Sequence, residues 1–256
     1  MALSITRLGL TEPFELQLSK GELSGHAAYY KFGSIASQGT TEAIINSAGY
    51  LPAYQTAAGV AKISSGSIND AAAGTGCRTV LITGLNDTFA VISETITMNG
   101  QTEVNTVNSY LRITNIEPQT FGAGGVSDGI IYAGTGTVTT GVPATVYLRC
   151  AAGAAAVADL GAYAAVVVDT ELYLTSLNVT ATVSSNTATL LLKSRALTST
   201  TWTDLYTFVT TTNNSAYVVF PIPFKLVAGT EYAVTSDASA TTISASAIVS
   251  GVLITG

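Results

Sequence analysis

The sequence predicts an all-β protein, an N-terminal extended arm followed by two β-sandwich or jelly-roll-like domains. Three observations carry that prediction. Short runs that alternate apolar residues with Thr or Ser recur through most of the chain, bounded by Gly, Asn and Asp, which is the half-buried strand pattern. Only 10% of the 256 residues are charged, against about 25% in an ordinary soluble domain. A Gly/Ala-rich stretch, Ala151 to Ala165, interrupts the alternation and divides the strands into two groups. The expected units are an arm over residues 1–37, a first sandwich over 38–155 and a second over 156–256.

In the first segment Pro13, Gly21, Gly25 and Gly33 stand too close together for a stable helix, leaving extended pieces such as PFELQL and AAYYKF. Such a segment buries little against itself and takes its order from a neighbour, with Phe14, Tyr29, Tyr30 and Phe32 as the expected anchors. The run from Thr40 to Tyr54 has room for a short helical turn capped by Thr41. Strands follow in CRTVLITGL, FAVISETITMNG, SYLRITNI, GIIYAGTG and TVYLRC. Asn99-Gly100 predicts a type I′ hairpin turn, because both residues tolerate positive φ. In the strand before it Ile92, Glu94, Ile96 and Met98 share one face, so Glu94 interrupts an apolar stripe. A lone buried carboxylate is costly, and the expected cross-strand partner is Arg112 or Arg78, with an exposed sheet margin as the alternative.

Ala151–Ala165 is the boundary region, where Val157, Leu160 and Tyr163 can pack as a short turn or an edge strand. Six further strands are expected in ELYLTSLNVTATV, TATLLLKSRAL, WTDLYTFVTT, AYVVFPIPFKL, EYAVTSD and ASAIVSGVLI. Burial switches sides within LYLTSLNVT, which predicts a bulge there. Lys193 and Arg195 are spaced to share one solvated face.

The chemistry on offer is sparse. General acid–base and metal chemistry need several titratable side chains that converge. The chain has one histidine, His26, two cysteines, Cys77 and Cys150, and neither a CxxC nor a Cys/His cluster. The cysteines read as reduced core residues, with a disulfide as the alternative. Gly122–Gly125 lacks the following helix and basic residue of a phosphate loop and reads as a turn. A net charge of −6 and scattered basic residues argue against direct binding of nucleic acid. The longest apolar stretch, Ala162 to Val168, is far short of a membrane span, and Glu12, Pro13 and Glu15 interrupt the place of a signal-peptide core. No cofactor, metal or catalytic residue is expected.

The blocks PFELQLSKGELSGHAAYYKFG, NDAAAGTGCRTVLITGLNDTFAVISETITMNG and NSYLRITNI with the following GAGGVSDGIIY resemble a family of virion structural proteins of tailed bacteriophages, particularly cyanophages and other aquatic phages. The closing segment AYVVFPIPFKLVAGTEYAVTSDASATTISASAIVSGVLI is similar to that family less tightly. The resemblance implies a non-enzymatic virion component, made in the host cytoplasm. The leading expectation is a capsid decoration (cement) protein that binds the major capsid protein or other virion proteins and assembles as a homotrimer. The alternative is a tail- or fibre-associated protein that contacts the host surface, with Trp202, Tyr206, Tyr217 and Tyr232 as rings able to stack on a glycan.

Overall fold

The computed structural model describes residues 13–46, 55–154, 161–183, 187–239 and 242–256. A short helix α1 (Phe14–Ser19) leads into β1 (His26–Gln38) and β2 (Ala43–Ile44). Seven strands follow: β3 (Gly59–Ser65), β4 (Cys77–Leu85), β5 (Val91–Thr97), β6 (Val104–Tyr110), β7 (Arg112–Phe121), β8 (Ile131–Thr139) and β9 (Val142–Cys150). The remainder is β10 (Tyr163–Ala165), β11 (Thr170–Thr182), β12 (Ala188–Ala196), β13 (Thr203–Thr210), β14 (Asn214–Val227), β15 (Thr230–Ala238) and β16 (Ile243–Thr255). The protein is nearly all β, as its alternating sequence predicts, and every pairing is antiparallel.

The C-terminal sandwich stacks a sheet of order β1-β16-β11-β14 on one of order β10-β15-β12-β13, with β2 also paired to β15. Each of the six strands expected after the boundary is present. Between the sheets lie Leu172, Leu174, Leu177, Val179, Leu190, Leu192, Val234 and Val249, all nearly inaccessible. The bulge expected in LYLTSLNVT falls at Thr175, where the register of β11 slips against both neighbours. One extra residue there turns Leu177 and Val179 onto the buried face that Leu172 and Leu174 occupy before it.

The segment expected to be an arm is extended over His26–Gln38, and it finds its partner within its own chain. It pairs with β16 from His26 opposite Ile254 to Gln38 opposite Ile243. Ile35 and Tyr29 drop into the core, and Gly33 lets the chain press so close that a Cβ there would lie 2.0 Å from the Ile45 carbonyl oxygen. The C-terminal sandwich therefore contains residues 26–44 as well as 163–255. The helix α1 starts after Pro13, whose carbonyl accepts the Leu16 and Gln17 amides; the glycines lie beyond its end and do not interrupt it. In place of a helical turn capped by Thr41 the chain forms β2, because Ala43 and Ile44 complete the edge of β15 at Ser236 and Thr235. The rest of that expected turn, 47–54, and residues 155–160 of the boundary, with Val157 and Leu160, lie outside the described residues. Tyr163 takes the edge-strand option in β10.

The first sandwich stacks β6-β3-β8-β9 on β5-β4-β7 around Ile63, Val80, Ile82, Ile96, Met98, Ile116, Ile131 and Leu148. Cys77 and Cys150 are both buried in this core as free thiols. SYLRITNI does not run as one strand: it breaks at Leu111, whose amide bonds the Leu85 carbonyl. Asn99-Gly100 forms no hairpin, because β5 and β6 belong to opposite sheets and Asn99 keeps a negative φ. Tertiary contacts hold that crossing: the Gly100 amide donates to the Asp70 carbonyl, and a Cβ on Gly100 would lie 3.0 Å from the Ile68 carbonyl oxygen. A two-residue hairpin with positive φ at both loop positions, the I′ signature, occurs instead at Thr140-Gly141 between β8 and β9.

Candidate functional site

Glu94 and Arg112 do not pair. The Glu94 carboxylate accepts the backbone amides of Val107 (2.8 Å) and Asn108 (2.9 Å) and the Tyr110 hydroxyl (3.1 Å), lacing β5 to β6 across the sheet margin. Backbone amides satisfy it as fully as a cation would, so it needs no arginine. Burial, with Glu94 beside it, pushes the Tyr110 hydroxyl up to about 12.

Arg112 reaches across to the second sandwich instead. Its Nε and Nη2 meet Glu231 on β15 at 2.9 and 3.0 Å, side-on to the carboxylate. Arg195 on β12, the direct cross-strand neighbour of Glu231, approaches the same carboxylate at 2.6 Å. Trp202 lies under the Arg195 guanidinium, 4.4 Å from ring centroid to charge. The expected solvated face for Lys193 and Arg195 is thus covered: Arg195 is 5% exposed, and Lys193 bonds Glu42 at 2.6 Å. Burial works against the charge on Glu42, but Lys193 and the Thr235 hydroxyl outweigh it and hold its carboxyl below the ordinary value.

This buried triad and an apolar contact of Leu85, Leu111 and Leu197, with Phe89 packed beside them, join the two sandwiches. Next to the joint opens a cleft of about 290 Å³, with Tyr29 and Lys31 on one wall and Thr83, Val91 and Thr114 on the other. Elsewhere the Asp70 carboxylate, wholly buried, accepts the amides of Cys77, Asp128 and Gly129 and the Ser65 hydroxyl. Donors saturate it, so it braces the β3–β4 and β7–β8 loops and has no lone pair to offer a substrate. Gly122–Gly125 is a turn packed on the carbonyls of Thr75 and Gly76. Among the described residues no three His, Cys, Asp or Glu side chains are grouped so as to hold a metal, and no helix is long and apolar enough to cross a membrane.

The expected anchors divide. Phe14, Tyr30 and Phe32 are exposed, Tyr30 to 75%. Tyr29 turns inward instead: it packs edge-on against Tyr232, and the two hydroxyls bond at 2.9 Å. The rings suggested for glycan stacking also divide. Tyr232 is buried, Trp202 lies against Arg195 and Tyr206 packs on Phe220, leaving Tyr217 accessible at 68%.

Tyr217 belongs to the open face of the sheet β1-β16-β11-β14. One cross-strand row runs Tyr30, Ser250, Ser176, Val219, and the next Phe32, Ile248, Asn178, Tyr217. A third runs Ser34, Ser246, Thr180, Ser215. None of these twelve positions carries a charge. Sequence reasoning had the aromatic residues but not the face, because β1 joins it from the far end of the chain. It also missed Glu231, one of two acids in the run TEYAVTSDA, which nothing local sets apart as the partner of two arginines.

No family model matches the chain, and no curated protein matches it. Among solved structures it is similar to murine APRIL, with 12% identity over 67% of this chain and 98% of that one at a TM-score of 0.27. It is also similar to the Gt strain of infectious bursal disease virus, with 11% identity over 96% of this chain and 78% of that one at a TM-score of 0.23. The VP2 subviral particle of the same virus gives 11% identity over 91% and 73% at 0.20.

Proposed function

We propose that this chain is a non-enzymatic structural protein of a tailed-bacteriophage virion, a capsid decoration (cement) protein bound to the major capsid protein. The observation that carries the reading is the apolar surface left at its N-terminal end. Phe14 and Leu16 project from α1, and Tyr30 and Phe32 from β1, all solvent-exposed on a chain with little charge. Tyr30 and Phe32, two residues apart on β1, share one face of the sheet, and exposed apolar side chains of this kind suit a contact surface. The sequence blocks that resemble phage virion proteins, PFELQLSKGELSGHAAYYKFG among them, include these same residues.

Shell cement works by many modest contacts repeated through symmetry. Low charge leaves little long-range repulsion between copies, and a homotrimer at local threefold positions is part of the proposal. A tail- or fibre-associated role is the second reading, favoured by the exposed Tyr217. A quantitative gel of purified particles separates them: a copy number comparable with that of the major capsid protein supports cement, and one matching the tail supports the second reading.

A further inference from the structure

We propose that the cleft between the two sandwiches takes an extended peptide carrying an acidic side chain, bound as an added strand on the free edge of β10. Among the described residues β10 pairs with β15 alone. The Ala162 carbonyl accepts the Val234 amide, the Val166 amide donates to the Thr230 carbonyl, and the Val166 carbonyl accepts the Gly229 amide. In an antiparallel ladder the residues between these turn their backbone groups the other way. The Ala165 amide and carbonyl and the Val167 amide therefore face outward, and among the described residues no protein group pairs with them. Both residues are half-buried and line the cleft of about 290 Å³. Backbone groups partly withdrawn from water in this way are a template for another strand.

The rest of the cleft selects the occupant. Leu85, Val91, Leu172 and Leu253 give it apolar walls, which suit the alternate side chains of an added strand. Lys31 is the one charged residue among those that line it; it is exposed, and no acid pairs with it among the described residues. On a chain of net charge −6, an unpaired lysine beside apolar walls favours a carboxylate at that point. A fatty acid would match Lys31 and the walls but would leave the β10 edge unpaired, whereas a peptide answers all three. Tyr29 and Lys31 lie on the opposite face of β1 from Tyr30 and Phe32, so the cleft is separate from the capsid-contact surface. The site is also independent of the cement reading, since the isolated protein carries it whatever its copy number.

The test is surface plasmon resonance of the full chain over immobilised, end-capped pentapeptides of the form Thr-X-Glu-X-Thr, with X drawn from Val, Ile, Leu and Phe. At least one should bind saturably. Lys31→Glu, an exposed substitution that breaks no ion pair, should melt as the parent does and weaken that binding about fivefold or more at low salt. It should also prefer the same peptide with Lys in place of Glu. N-methylation of alternate peptide amides should abolish binding in one phase and spare it in the other, because only every second N–H faces the β10 edge. Failure of the whole set to bind overturns the proposal. So does a Lys31→Glu protein with unchanged preference, or binding that survives N-methylation in both phases. Decanoate bound where no peptide binds overturns it in favour of an apolar anion.

Discussion

Replacing Glu231 by Gln should be among the most damaging isosteric changes available in this protein. Glu231 is 5% exposed and holds two guanidinium groups, Arg195 at 2.6 Å and Arg112 at 2.9 Å. With charge centres about 4 Å apart and an effective permittivity of about 20, each pair attracts by roughly 4 kcal/mol, about 8 kcal/mol in all before desolvation. Taking three charges out of water offsets much of that, so the triad adds little net stability while intact. Removing the carboxylate leaves the desolvation in place and sets two buried cations against each other. The net cost is about 3–5 kcal/mol, a large share of the roughly 5–15 kcal/mol that holds a domain folded. Arg112→Met is the discriminating partner, because it leaves Glu231 and Arg195 paired within the second sandwich. It should cost only roughly 1.5–3 kcal/mol and should split a single calorimetric transition into two as the sandwiches uncouple. The chain's one tryptophan, Trp202, lies against Arg195 and reports on this joint by fluorescence during urea unfolding. A cost below about 1 kcal/mol for Glu231→Gln, or an equal cost for both variants, would refute the reasoning.

The hook of β2 onto β15 should loosen in acid. Glu42 has its carboxyl held below the ordinary value of 4.5, so its contribution is present above that pH and is lost as pH falls through the lower folded value. Melting temperature should therefore fall on acidification below about pH 5, and Glu42→Gln should flatten that dependence; parallel curves would count against it. Burial pushes the Cys77 thiol up to about 12, so a thiol reagent at pH 8 should label it only at the rate of unfolding, and prompt labelling of the native protein would contradict its place in the core. Gly141→Ala should destabilise by more than about 1 kcal/mol in urea titration, because φ is +82° and the new Cβ would lie 1.8 Å from the Ser65 carbonyl oxygen. A neutral result would refute the tight I′ turn.

Local pattern made the C-terminal strands legible. Apolar residues alternate with Thr, Ser or Asn in β11 and with Ser in the first half of β16, and even the Thr175 bulge shows as a change of phase in LYLTSLNVT. What could not be read is what depends on distant partners. HAAYYKFGSI reads as extended chain, but its partner β16 lies more than 200 residues away, so an extended arm and an integral strand look alike in the sequence. Asn99-Gly100 has the right residues for a hairpin and loses to the Asp70 carbonyl and the wall of Ile68. Glu94 reads as a carboxylate in need of Arg112 or Arg78, but the Val107 and Asn108 amides and the Tyr110 hydroxyl satisfy it, and the acid that Arg112 meets, Glu231, stands 119 residues further on. Because β1 pairs with β16 and places Ile35 in the core, truncation at Ser37 would remove a core strand and unfold the C-terminal sandwich.

The most direct measurement is therefore saturation binding of the purified full chain, and of Phe14→Ser/Leu16→Ser, to virus particles lacking it. Both substituted side chains are exposed, so the variant should melt as the parent does. The account predicts that the full chain fills sites in proportion to the major capsid protein and that the variant fails to load. Equal loading of the two proteins, or saturation at a number fixed by the tail, would contradict it.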